Sequence, residues 1–315
     1  MKFVDRNKEQ KRLEKAFGSE TSKFVVIYGR RRLGKSTLLK RVINENDIYF
    51  EAGRQETQVQ ISLLAGTIAH LYSGFDMPLY PSWESILTTF NRVCKEKTVL
   101  VLDEFPYMVE KDPSLPSVLQ NIIDSGTLRY HLVICGSSQR MMQHFVLDKS
   151  DPLYGRANEK INLRPIRPQH WQEAMNLDAV STIEEYCVWG GVPRYWELRE
   201  DYDSLNEAID QLVLDEHGIL FSEPTALFID ETNDIAPFQS NMTAIGHGNT
   251  RYSAVASAIG KKTTEISKPL SALTEMSYIS KDVPFGESEE KTKKTLYVID
   301  DNFMAFYYTF IEPHR

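Results

Sequence analysis

A chain of 315 residues, 42% hydrophobic and 25% charged, has the composition of a folded protein with room for more than one core, which excludes a disordered or fibrous polymer. Its formal net charge of -8 opposes nucleic acid as a whole, so any such contact needs a local basic patch. Three cysteines (Cys94, Cys135 and Cys187) cannot close a disulfide framework, and no stretch approaches the roughly 18 apolar residues of a membrane span, so the expected home is the cytoplasm, with no membrane partner.

Asp5 is placed to cap a helix running to about Phe17, and Lys23 to Tyr28 is then a continuous apolar run of the kind buried on both faces of a sheet. Similar runs recur at Ile48 to Ala52, Thr98 to Leu102, His131 to Cys135 and Lys160 to Leu163. Segments of helical periodicity such as LLKRVI, SLLAGTIAHLY and LPSVLQNIID lie between them. This alternation predicts a doubly wound α/β domain with a parallel sheet over residues 1–165. From Arg167 the strands stop. PQHWQEAM, STIEEYCVWGG with capping-box spacing from Ser181 to Glu184, SLNEAIDQLVLDEHG and EPTALFIDE predict a helical domain over 166–236. Residues 237–300 read as three short helices, roughly Phe238 to Ile245, Tyr252 to Ile259 and Thr264 to Met276. Strands in YISKDV and LYVID follow, around the charged loop GESEEKTKKT, which is the pattern of a winged helix-turn-helix. Pro269 argues that the third helix begins later than Thr264.

Between the first strand and the next helix, Gly29-Arg30-Arg31-Arg32-Leu33-Gly34-Lys35-Ser36 fits GxxxxGK[ST]. Glycines there let backbone N–H groups converge on anionic oxygens, the helix N-terminus adds a favourable dipole, and the lysine adds a full charge. The loop from Gly29 through Arg30, Arg31, Arg32 and Gly34 to Lys35, Ser36 and Thr37 is therefore assigned to a polyphosphate, with Lys35 on the β- and γ-phosphates and the Ser36 hydroxyl on Mg²⁺. The bland alternative is a glycine-rich turn. At the end of VLVL, Asp103 is placed to fix the metal and Glu104 to polarise a water as general base; in isolation such a pair is often only an acidic strand-to-helix junction. Ser137 and Ser138 end the next buried run, where a hydroxyl can meet the γ-phosphate or merely shape a turn. Arg156 precedes the fifth run and fits either an arginine finger or a surface salt bridge.

With these residues in hand, the chain resembles the archaeal-type ATPase family within the STAND branch of AAA+-related P-loop NTPases. The resemblance rests on FVDRNKEQKRLEKAF, YGRRRLGKSTLL, VLVLDEFPYM, LVICGSSQRMM, DPLYGRANEKINL, WGGVPRYW and LYVIDDNFMAFYYTF, in order along nearly the whole chain. It implies an α/β core, a helical lid and a winged helix, with ATP or ADP and Mg²⁺ bound. It also implies that Val4 to Arg6 lies near the base and that Pro193, in Gly191-Val192-Pro193, packs on adenine. By sequence alone, WGGVP reads as a turn. Relatives often continue into a nuclease-like domain, so residues 301–315 are expected to begin a C-terminal element that this chain leaves short.

Arg251, Lys261, Lys262, Lys268, Lys281, Lys291, Lys293 and Lys294 can meet phosphates. Glu265, Glu275, Asp282, Glu287, Glu289 and Glu290 interrupt them, however, and the third helix offers no arginine fork for guanine. The expected function is thus an ATP-hydrolysing switch whose winged helix faces a protein partner or the chain's own C-terminal domain. A DNA-associated ATPase resembling origin-recognition proteins is the alternative. A small-molecule kinase is a third reading, opposed by the adjacent carboxylates, because a kinase excludes water rather than positioning it.

Overall fold

The five apolar runs form one parallel sheet in the order β2-β3-β4-β1-β5. The computed structural model describes residues 3–229, 231–232, 234–288, 292 and 294–315. The chain divides into two units, of which one comprises residues 6–29 and 34–164 and the other residues up to Asp5, 30–33 and 165–315.

The first unit contains α1 (Asn7–Phe17), β1 (Phe24–Tyr28), α2 (Lys35–Val42), β2 (Ile48–Glu51), α3 (Thr57–Ala69), α4 (Trp83–Val93), β3 (Val99–Asp103), α5 (Phe105–Lys111), α6 (Leu115–Asp124), β4 (His131–Gly136), α7 (Gln139–Leu147) and β5 (Glu159–Asn162). Every residue of β1, β3 and β4 is buried, as their unbroken apolar sequences require, whereas β2 and β5 at the edges are only partly covered. The connection leaving β1 runs to one side of the sheet and the one leaving β4 to the other, the arrangement that opens a crevice at the carboxyl ends of the strands. Register brings Tyr28 level with Gly136, and Glu51 level with Asp103. The strand tips that carry the predicted chemistry therefore share one edge. Asp5 does not cap α1. The helix starts on Arg6, which is in the left-handed conformation without a side-chain cap, while the Asp5 carboxylate sits 3.6 Å from His170.

The second unit contains α8 (Pro168–Met175), α9 (Ala179–Trp189), α10 (Pro193–Arg199), α11 (Leu205–Ile209), α12 (Glu223–Ile229), α13 (Ala236–Gly246), α14 (Tyr252–Ala258), α15 (Thr263–Glu275), the antiparallel pair β6 (Ile279–Asp282) and β7 (Leu296–Ile299), and α16 (Asn302–Phe306). π-helical turns extend α11 over Asp210–Leu214 and α16 over Tyr307–Ile311. The cap of α9 is Asp178, which accepts the Val180 and Ser181 N–H groups, so Ser181 lies inside the helix rather than at its cap. α15 begins at Thr263 and runs through Pro269, earlier than the proline suggested. Only the hydrogen bond to the Glu265 carbonyl need be given up, on a helix held by buried Ile266, Leu270 and Leu273. Phe303, Met304, Tyr307, Tyr308 and Ile311 are buried where α16 and its extension pack on α9 and α13. Trp171 stacks on Trp196 at 4.6 Å, so the Tyr195-Trp196 pair is core. Glu289, Glu290, Lys291 and Lys293 of the charged loop lie outside the described residues.

Candidate functional site

The chain leaves β1 at Gly29 with φ 149°, where a Cβ would stand 2.5 Å from the Leu163 carbonyl oxygen; only glycine passes this point without displacing backbone. Gly34, at φ 83°, begins α2 without a capping side chain, which leaves first-turn N–H groups for an anion. Lys35 is buried and donates from Nζ to the Gly29 carbonyl at 2.8 Å, closing the loop on itself.

Asp103 ends β3, 1% exposed, and gathers three donors. The Ser36 hydroxyl donates to Oδ2 at 2.7 Å, the Tyr49 hydroxyl donates to the same oxygen, and the Glu104 N–H donates to Oδ1 at 2.9 Å. Burial alone would push this carboxyl up, but the donors outweigh it and hold it below the usual aspartate value. Burial first, and then the Asp103 charge, push the Tyr49 hydroxyl well above its ordinary range, so it stays a donor. An adjacent hydroxyl and carboxylate are hard oxygen ligands of the kind Mg²⁺ takes while keeping several waters, so the residues fit that ion.

Glu104 follows in the left-handed region, at φ 51° and ψ 41°, a conformation that costs a non-glycine residue about 1–2 kcal/mol. Its Oε2 accepts the Ser137 hydroxyl at 2.8 Å and the Ser137 N–H at 3.2 Å. Ser138 instead caps α7 by accepting the Met141 N–H. Ser36, Asp103, Glu104 and Ser137 are thus brought together, while Thr37 is exposed on α2.

The other predicted residues make contacts of their own. Arg30 and Arg32 belong to the second unit, where Arg30 pairs with buried Asp301 at 2.6 Å and lies over the Tyr278 ring at 4.5 Å. Arg32 pairs with buried Glu223 at 2.7 Å, and the Tyr195 hydroxyl donates to the same oxygen at 2.8 Å. Burial raises the Glu223 carboxyl despite Arg32. Arg31 is exposed. Arg156 is held in the first unit by a forked pair to Asp124, at 2.7 and 2.8 Å, and by the Pro152 carbonyl at 2.7 Å. Val4 is half-buried, and Arg6 is buried with Glu9 at 3.8 Å. Pro193 opens α10, preceded by Gly191, where a Cβ would lie 2.2 Å from the Ile166 carbonyl oxygen. Sequence reasoning missed Tyr49, Glu223 and Asp301. The one available signal was the phenol of Tyr49 in an otherwise apolar strand beside VLVLD.

The family profile described as an ATPase domain predominantly from Archaea matches residues 3–185. An uncharacterized protein of Methanocaldococcus jannaschii is 32% identical over 320 residues, covering 99% of this chain and 69% of that protein. Among solved structures, a Walker-type ATPase of Pyrococcus abyssi is similar with a TM-score of 0.72 at 19% identity, over 97% of this chain and 96% of that one. The ORC2 protein of Aeropyrum pernix, solved in ADPNP and ADP complexes, is similar with a TM-score of 0.55 at 14% identity, over 98% and 93% of the two chains. At such identities the structural likeness speaks to the fold, which is that of the P-loop ATPases.

Proposed function

The chain belongs to the family of ATPase domains found predominantly in Archaea, and from that premise we propose that its ATP hydrolysis serves as a STAND- or AAA+-type switch, nucleotide state setting a helical lid over 166–236 and a winged helix over 237–300. The observation that carries this reading is the pair of contacts Ser36–Asp103 and Ser137–Glu104, which joins a metal-binding side and a hydrolytic side at the tips of neighbouring strands.

On this reading, loop N–H groups and Lys35 hold the β- and γ-phosphates, and Ser36 with Asp103 holds Mg²⁺. When bound, the ion offsets phosphate charge and fixes the orientation of its oxygens. Glu104 accepts a proton from the attacking water; to do so, its Oε2 must give up at least one Ser137 donor. Ser137 is therefore proposed to hold the base idle until the γ-phosphate or the water takes its hydroxyl. Val4, Arg6 and Pro193 are proposed to surround the base.

Nucleotide binding and phosphate release by two variants test the assignment. Lys35→Ala should lose tight ATP binding, whereas Glu104→Gln should bind ATP as wild type and lose about 10² to 10⁴ in turnover. Normal ATP binding by Lys35→Ala would show the loop assignment to be wrong.

A further inference from the structure

An ionised carboxylate has about four acceptor positions. On Asp103 both positions of Oδ2 are already taken, by Ser36 Oγ and Tyr49 Oη, and Oδ1 accepts the Glu104 N–H. Mg²⁺ dehydrates reluctantly and binds through waters that themselves donate to a carboxylate. A water brought to Oδ2 by an ion beside the Ser36 hydroxyl then displaces one of the two donors on that oxygen. Ser36 is fixed in the first turn of α2 and is itself the hydroxyl offered to the ion. Tyr49 alone lies on an edge strand, half-buried, with Lys40 Nζ 4.8 Å over its ring.

Resting on the reading of Ser36 and Asp103 as the metal side, we propose that the Tyr49 hydroxyl occupies on Asp103 the place of a metal-bound water, so that Tyr49 competes with the divalent cation and sets how tightly the site takes it. Tyr49 is a positioning residue that acts through Asp103. Its loss strengthens metal binding, a sign opposite to that of structural damage.

The test is titration of a fluorescent N-methylanthraniloyl ADP with MgCl₂ present and with EDTA, for wild type, Tyr49→Phe, Tyr49→Met and Ser36→Ala. Tyr49→Phe should match wild type in EDTA and gain about tenfold more affinity from Mg²⁺ than wild type gains, the scale of a released hydrogen bond to a charged group. Tyr49→Met, which also lacks the donor, should behave alike if Tyr49→Phe fails to fold. A Mg²⁺ gain equal to or smaller than that of wild type in these variants overturns the proposal and leaves Tyr49 as a fixed prop. If wild type gains nothing from Mg²⁺ and Ser36→Ala is indistinguishable from it, the metal side itself is misassigned, and the proposal falls with it.

Discussion

Glu104 holds its carboxylate against Ser137 only because its backbone turns left-handed, and Arg6 and Arg32 adopt the same region at φ 78° and 67°. Backbone strain concentrates where the surroundings over-determine a conformation, often at functional sites, and three predicted site residues carry it here. The acidic pair and the glycine-lysine loop were legible in the sequence because their chemistry is local. Tyr49 was not, since it reaches Asp103 from 54 positions away through strand pairing that no short-range pattern encodes. At this scale His131 makes a pH prediction. It is 1% exposed and its Nδ1 accepts the Lys23 N–H, and burial lowers its pKa below the ordinary 6.5. The unfolded chain therefore binds the proton first as pH falls. Stability is full above about pH 6.5 and declines below it, by at most about 1.4 kcal/mol per pH unit, until the lowered folded value is reached. Urea denaturation from pH 7.5 to 5 should show His131→Gln with a shallower decline than wild type; parallel slopes would refute the assignment.

At the level of elements, buried strands were the clearest signal, because β1, β3 and β4 are covered on both faces and need no alternation. Helix starts were less legible: Asp5 and Ser181 have capping side chains, yet the caps are Arg6 and Asp178, since local pattern does not say which of two nearby residues has non-helical φ and ψ. WGGVP is a turn, as its composition says, but the turn is also wedged. The Ile166 N–H donates to the Gly191 carbonyl at 2.8 Å, and a Cβ at Gly191 would meet Ile166 backbone at 2.2 and 2.5 Å. Neither partner can rotate away. Gly191→Ala should cost on the order of 1–3 kcal/mol in calorimetric unfolding, in the range of overpacked buried sites. A loss under about 0.5 kcal/mol, typical of an unconstrained surface position, would show that the turn yields.

For the molecule as a whole, the buried pair of Arg30 and Asp301 joins residues 271 positions apart within the second unit. Breaking such a pair leaves one charge buried alone, so Asp301→Ala should destabilise by about 3–5 kcal/mol, part of it from the lost cap on Met304 N–H. Thermal unfolding indistinguishable from wild type would contradict this. Arg251, Lys261, Lys262 and Lys268 are exposed, but so are Glu265 and Glu275, whose charges offset a phosphate-binding patch. Fluorescence anisotropy with duplex DNA should find weak binding and a shallow salt dependence; tight binding with a steep dependence would restore the DNA-associated reading. No helix among the described residues is long and apolar enough to cross a membrane. Sequence by itself determined the parallel α/β core, the phosphate loop and the acidic pair, because apolar runs, glycines and neighbouring carboxylates act within a few residues of one another. Only the tertiary structure decided that two loop arginines face Asp301 and Glu223, that Arg156 meets Asp124, and that Tyr49 holds Asp103. Those partners are distant in the chain, and only strand order, register and helix packing bring their charges and hydrogen-bonding atoms within reach.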